Sequence, residues 1–298
     1  MVSRSNMENY LEKMLLEELS CPACYNYMSP PINQCQEGHS ICHECFNQVK
    51  ICPTCRGKKS ESCRNYSLEA IYRVLNIPCR NQFLGCDFIS TGAYINNHQK
   101  YCWFRKNKCP FYNYDNCHWE DSMNNLKDHL TREHSNNFYQ KERQKFVSQN
   151  FKKIKGYHYI FAIMFAHGVY FRLTWEVQEA GGLTRWAVQY MGDPAEAELY
   201  SYKLEINKFI ESKHSLVPLT YISTCEVKPE KGKFENHRCF YIHKYQLDEY
   251  CSSKGDLHYK ITIYSSDSTD GLSDPIKEFE QKLKQRKNNA LAVIKEED

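Results

Sequence analysis

Residues 21–56 run CPACYNYMSPPINQCQEGHSICHECFNQVKICPTCR, and the reading of this stretch decides the fold. Its spacing is Cys21-x2-Cys24-x10-Cys35-x3-His39-x2-Cys42-x2-Cys45-x6-Cys52-x2-Cys55, seven thiols and one imidazole. Eight such donors suffice for two tetrahedral zinc sites. Two cysteines separated by two residues turn a tight knuckle that aims both sulfurs at one metal. Such pairs can combine in sequence or alternate. The alternating arrangement is expected, with Cys21, Cys24, Cys42 and Cys45 on one zinc and Cys35, His39, Cys52 and Cys55 on the other. His43 is off the spacing and is read as a surface residue.

Working outward, a second donor-rich stretch follows. Cys79-x6-Cys86-x11-His98-x3-Cys102 supplies a Cys3His set, and Cys109-x7-Cys117-x11-His129-x4-His134 a Cys2His2 set. Seven residues between Cys109 and Cys117 are too many for the knuckle of a DNA-reading ββα finger. Trp103 and Trp119 follow ligand cysteines and are read as packing around the metal, and His118 as a non-ligand. The total is sixteen donors and about four zinc ions per chain. Cys63, Cys225, Cys239 and Cys251 remain, read as linker or buried thiols, since no base can be assigned to activate one.

Cysteine usage divides the chain of 298 residues: 13 of 16 cysteines lie between Cys21 and Cys117. Clustering with histidine at short spacing points to metal in a reducing compartment rather than to disulfides. The net charge of +3 excludes a strongly basic nucleic-acid binder or an acidic tail as the main theme. Segment 76–160 carries 13 Lys and Arg against 7 Asp and Glu, so contact with nucleic acid stays a minor reading and is not the expected one. The longest apolar run, Tyr159 to Ala166, is too short to span a bilayer, and the N-terminus has no signal-peptide pattern. The expectation is a soluble cytoplasmic protein with the nucleus as a second location, and no membrane partner.

A helix over 7–19 is expected, with Leu11, Met14, Leu15 and Leu19 on one face. Residues 57–66 read as a polar linker, followed by a helix that Ser67 caps and Pro78 ends. Residues 135–156 read as helical or loop. Beyond 157, β-rich segments recur at 158–166, 168–177, 183–191, 198–210, 218–227, 238–247 and 257–264, with Gly181-Gly182 as a hairpin turn. Seven short strands argue for an antiparallel sandwich. The stripe Tyr157, Tyr159, Phe161, Ile163, Phe165 alternates with other apolar residues and is read as a strand buried on both sides, with a peptide groove or dimer face as the open alternative. Residues 269–298 form a charged tail, with a helix near 275–286.

The first cluster, with Gly38 before His39 and Cys52-Pro53-Thr54-Cys55-Arg56 closing it, resembles a RING finger. The order of modules, with Cys117-His118-Trp119, Ala197 to Leu204 and Gly255 to Ile263, resembles the seven-in-absentia (SINA/SIAH) family of ubiquitin ligases over about residues 20–265. The resemblance implies a multidomain chain of small zinc-held α+β modules and an all-β TRAF-like sandwich: a RING cross-brace at 21–56, a SIAH-type double zinc finger at 76–135, and a substrate-binding and dimerisation sandwich at 136–268. It implies a ubiquitin-protein ligase that docks a ubiquitin-charged conjugating enzyme and positions a substrate lysine, promoting proteasomal degradation. Pro22, Ala23 and Pro53 would contact the conjugating enzyme, and Arg56 would bridge it to ubiquitin. The implied partners are that enzyme, ubiquitin, substrates bound as extended peptides, and a second copy of the chain. Ile160 and Ala162 stand where the family's groove carries larger residues, so its usual Val-x-Pro preference does not transfer. The runner-up is a non-catalytic zinc adaptor that binds peptides and recruits another ligase.

Overall fold

The computed structural model describes residues 4–178, 182–207, 218–227 and 239–266. The expected tail at 269–298, Gly181 and residues 208–210 lie outside the described residues. The chain divides into two compact units between His129 and Leu130.

The first unit opens with helix α1 (Arg4–Glu18). Strands β1 (Ile32–Cys35), β2 (Ser40–Cys42) and β3 (Lys59–Arg64) form a sheet in the order β2-β1-β3, with the short helix α2 (His43–Gln48) between β2 and β3. The polar linker expected at 57–66 is thus mostly a strand. KSESCR has no apolar alternation because it is a sheet-edge strand whose neighbour supplies the apolar face. Helix α3 (Tyr66–Val74) follows. Its cap is Asn65, not Ser67: the Asn65 Oδ1 accepts from the Leu68 N–H at 3.0 Å. Glu69, one turn in, is buried and accepts from the Ile32 N–H at 2.9 Å and from both nitrogens of an Arg64 fork at 3.0 and 2.7 Å. That ties the helix to β1 and β3.

Two hairpin-plus-helix units come next. Strands β4 (Asn76–Pro78) and β5 (Ile89–Thr91) lead into α4 (Gly92–Tyr101). Strand β6 (Lys106–Lys108), the single turn α5 (Tyr112–Asp115) and strand β7 (Glu120–Ser122) lead into α6 (Met123–Glu133). Gly92 begins α4 because a Cβ there would sit 2.3 Å from the Tyr72 carbonyl oxygen. The buried cluster of this unit mixes Leu19, Met28, Ile32, Ile41 and Ile77 with cysteines 21, 35, 52, 79, 86 and 102. So small an apolar core does not hold such modules alone, and metal supplies the balance.

In the second unit, two sheets face each other. One runs β15-β12-β11-β10-β8, with β16 also paired to β12; the other runs β14-β13-β17-β9. The ranges are β8 Phe138–Tyr139, β9 Arg143–Ser148, β10 His158–Ala166, β11 Val169–Val177, β12 Leu183–Tyr190, β13 Tyr200–Ile206, β14 Leu219–Thr224, β15 Glu226–Val227, β16 Phe240–His243 and β17 Leu257–Ser265. Pairing is antiparallel except where β8 meets β10 and β15 meets β12. His167 and Gly168, both at positive φ, make the two-residue turn that joins β10 to β11. Trp175 and Trp186 are cross-strand partners, ring centroids 6.1 Å apart, and anchor a core with Phe171, Tyr190, Tyr202 and Ile261.

Two expectations change here. Residues 143–148, read as helix or loop, are the edge strand β9. Strand β10 is buried on both faces only from Phe161 to Met164, whereas His158 and Ile160 are exposed. Strand β8 pairs only with Ile163 and Met164, so no described strand covers the outer edge of His158–Ala162. A cleft lined by Val147, Asn150, Ile154, His158 and Ile160 lies beside that half-strand. Among the described residues, no helix is long and apolar enough to cross a membrane.

Candidate metal centres

All sixteen expected donors gather in four groups of four: Cys21, Cys24, Cys42 and Cys45; Cys35, His39, Cys52 and Cys55; Cys79, Cys86, His98 and Cys102; Cys109, Cys117, His129 and His134. The first two groups alternate along the chain, as the cross-brace requires. Within each group the ligand atoms lie within 4.8 Å of one another.

The separations fit one ion per group. A tetrahedron with metal–sulfur bonds of about 2.3 Å has sulfur–sulfur edges of about 3.8 Å, and sulfur–nitrogen edges of about 3.5 Å. Cys24 and Cys42 are 3.9 Å apart, Cys35 and Cys55 3.8 Å, Cys79 and Cys102 3.7 Å. The imidazoles are equally well aimed: His39 Nδ1 lies 3.4 Å from the Cys35 sulfur, His98 Nε2 3.3 Å from Cys86, and His129 Nε2 3.4 Å from Cys117 and 3.2 Å from Cys109. A disulfide would need sulfurs about 2.05 Å apart, and every cysteine is free.

The surroundings favour thiolates. Backbone N–H groups approach the sulfurs of Cys35 (from His39), Cys42 (from Cys45), Cys55 (from Gly57), Cys79 (from Asn81) and Cys109 (from Phe111) at 3.3 to 3.5 Å. Burial opposes ionisation of Cys21, yet N–H groups from Cys42, Ala23 and Cys24 bring its thiol down to about 7. Burial foremost, then proton sharing with Cys45 and Cys21, pushes Cys42 far up, and burial pushes Cys79 and Cys109 up to about 12. Clustered thiols cannot all ionise without a cation among them, which is the condition a divalent metal meets. The buried Asn81 Nδ2 has no conventional acceptor and lies where it favours the ionised form of Cys102. Soft thiolates with imidazoles in closed sets of four are the donors of structural zinc.

The two outer knuckles of the cross-brace are built alike. Cys21 N–H donates to the Asn26 carbonyl and Tyr25 N–H to the Cys21 carbonyl; Cys52 N–H donates to Gly57 and Arg56 N–H to Cys52. Each knuckle therefore turns through a left-handed residue, Tyr25 at φ 61° and Arg56 at φ 60°. Pro53 and Arg56 are exposed, whereas Pro22 and Ala23 are half-buried, and Ala23 packs on the small core. Pro22 and Thr54, one from each knuckle, line a single cleft of about 460 Å3 with Leu15 of α1 and Leu68 and Ile71 of α3.

The remaining sequence readings are placed as follows. His43 is exposed and meets Asn33 and Asn47, and His118 lies edge-on to Tyr112 outside every donor group. Cys63 is exposed, Cys239 half-buried, and Cys225 and Cys251 buried, with burial pushing Cys251 up to about 11. Trp119 stacks on His129, which bears out its role as packing around a metal site.

A cross-brace of two closed zinc sites, two further zinc-held units and an antiparallel sandwich define a RING-bearing zinc protein with a TRAF-like domain. Three family models of one lineage match in the same order: the RING finger of the E3 ubiquitin-protein ligases sina/sinah at 21–55, the Sina zinc finger at 70–147 and the Sina TRAF-like domain at 164–262. The chain belongs to the Sina family. It is 30% identical over 191 residues to the E3 ubiquitin-protein ligase siah2 of Xenopus laevis, covering 63% of this chain and 60% of that one. It is 32% identical over 195 residues to the putative E3 ubiquitin-protein ligase SINAT1 of Arabidopsis thaliana, covering 64% and 63%. The human E3 ubiquitin-protein ligase SIAH2 is 30% identical over 191 residues, covering 63% and 58%. The matches thus span about three fifths of the length of these curated relatives.

Proposed function

We propose that this chain is a RING-type ubiquitin-protein ligase. The observation that carries the reading is the alternating cross-brace, which presents Pro53 and the exposed Arg56 on a fixed turn and sets Pro22 and Thr54 on one cleft. Zinc, when bound, has four protein donors in each set and supplies rigidity rather than an open coordination position. The chain's own residues do the rest. The knuckle tips Pro22, Ala23 and Pro53 meet the conjugating enzyme, and the Arg56 guanidinium donates to carbonyls of that enzyme and of ubiquitin, holding the thioester in one conformer. A substrate lysine amine then attacks the thioester carbonyl. An isopeptide bond forms, the carbon–sulfur bond breaks, and the conjugating enzyme's thiol leaves. This is catalysis by positioning, with no covalent intermediate on the chain.

The substrate's place in this reading is the sandwich. An extended peptide adds to the uncovered edge of His158–Ala162, with side chains entering the cleft beside Ile160. Two copies associate through the sandwich, and the particle works in the cytoplasm and nucleus, marking substrates for degradation. The test is autoubiquitination by purified protein across a panel of conjugating enzymes. Ubiquitin chains with at least one of them support the ligase. Silence with all of them, while zinc stays bound, leaves the adaptor that recruits another ligase. The half-buried Ala23, a small residue at a docking position, is the observation that keeps that second reading.

A further inference from the structure

The two zinc-held units after the RING share more than their donors. In each, an aromatic residue stands two positions after the second cysteine and ten before the histidine: Phe88 after Cys86 and before His98, Trp119 after Cys117 and before His129. Each aromatic residue immediately precedes the second strand of its hairpin, β5 or β7, and the following helix, α4 or α6, carries the histidine. The rings do the same thing in both units. Phe88 stacks on His98 with centroids 4.0 Å apart and planes 11° from parallel, and Trp119 on His129 at 4.6 Å and 7°. The backbones also match, because the Phe88 carbonyl accepts from the Cys79 N–H and the Trp119 carbonyl from the Cys109 N–H, both at 2.9 Å.

We infer that Phe88 and Trp119 are positioning residues for zinc, each a bracket that fixes the first cysteine of a site through its carbonyl and the imidazole plane through its ring. The physical need is specific to histidine. A cysteine ligand is placed by one rotor, but an imidazole must also fix the broad torsion at its ring before its nitrogen points at the metal. A parallel ring leaves the plane free to slide but not to tilt. It also covers one face of the imidazole against water, and the electron-rich face of the aromatic ring favours an imidazole polarised by a cation. Core filling alone does not account for the arrangement, since Phe88 is 39% exposed and still stacks as closely as Trp119. The inference concerns metal retention and does not rest on the ligase reading.

The test uses the full zinc-loaded chain. Zinc transfer to a coloured chelator is followed for Phe88→Leu and Trp119→Leu, and for the conservative exchanges Phe88→Trp and Trp119→Phe. Partners of metal ligands are worth roughly 10- to 100-fold in metal affinity. Each leucine variant should therefore release one of its zinc ions at least about tenfold faster, with the other three unchanged. The aromatic exchanges should restore slow release. Ile77→Ala, which removes a fully buried core side chain, is the control for general loosening. Should Trp119→Leu fail to fold, the half-exposed Phe88 carries the test alone. In the cobalt-substituted chain, the Phe88→Leu spectrum should change in the bands of a Cys3His site only. Wild-type release from the leucine variants overturns the inference. So does release of all zinc together, as with Ile77→Ala, or an aromatic exchange that performs no better than leucine.

Discussion

Arg56 and Tyr25 hold equivalent turns in the two outer knuckles, and the equivalence separates what zinc needs from what a partner needs. The turn asks for a left-handed residue, which glycine adopts without strain. Arginine and tyrosine adopt it at a cost of about 1–2 kcal/mol each. Arg56→Ala keeps the backbone amide that caps the knuckle, so zinc stoichiometry should not change. In the ligase reading it removes charge-assisted hydrogen bonds of about 1.5–3 kcal/mol, so discharge of ubiquitin to free lysine should slow about 10- to 100-fold. An unchanged discharge rate would demote Arg56 to a solvated side chain. Tyr25→Gly tests the strain itself. Glycine removes the Cβ clash and returns about 0.5–1 kcal/mol to the unfolded chain, so the net gain should be positive and below about 1 kcal/mol. Urea midpoints of the zinc-loaded protein measure it, and a clear loss of stability would show that the exposed Tyr25 ring makes contacts worth more than its strain.

At the scale of the strand, Glu205 of β13 shows how the solvent face of the sandwich is fastened. It sits opposite Lys260 of β17 and binds the Lys260 and Lys203 ammonium groups at 2.6 and 3.1 Å. Burial works to raise its carboxyl, but the two lysines outweigh it and hold the group below the usual carboxylate range. A depressed folded value means that the stabilisation is complete above about pH 4.3, the unfolded value, and disappears as pH falls through the folded one. Glu205→Gln should therefore cost about 1 kcal/mol at pH 7 and almost nothing near pH 2 in the zinc-free sandwich. A gap that is constant across that range would remove the ion pairs as its source. Such pairs are invisible in sequence, since Glu205 and Lys260 become neighbours only through strand register. Strands β3 and β9 escaped for a related reason. KSESCR and RQKFVS lie at sheet edges, where half the side chains face water and alternation fades, while the buried β11 and β12 announce themselves in Phe171, Leu173, Trp175, Trp186 and Val188. The zinc ligands were legible to the residue because donor identity and spacing are local. The bracketing rings were not, because stacking needs the helix to fold back over the hairpin.

For the whole molecule, dependence on metal should differ between the two units. All sixteen donors belong to the four groups, and the sandwich core of Trp175, Trp186, Tyr202 and Ile261 contains none of them. Elemental analysis should return about four zinc ions. Structural zinc supplies roughly 10 kcal/mol or more to such modules, so chelation should unfold residues 21–134 and leave the sandwich's thermal transition in place. One cooperative loss of all structure would contradict that division. The uncovered edge of β10 has a signature of its own in amide hydrogen exchange. Along His158–Ala162, alternate N–H groups point towards β11 and away from it. Exchange should therefore be slow and fast at alternate residues, then uniformly slow at Ile163 and Met164, where β8 covers the other side. A peptide laid on that edge would flatten the alternation without changing the amides already paired, so the exchange pattern gives a footprint, residue by residue, of whatever this chain selects.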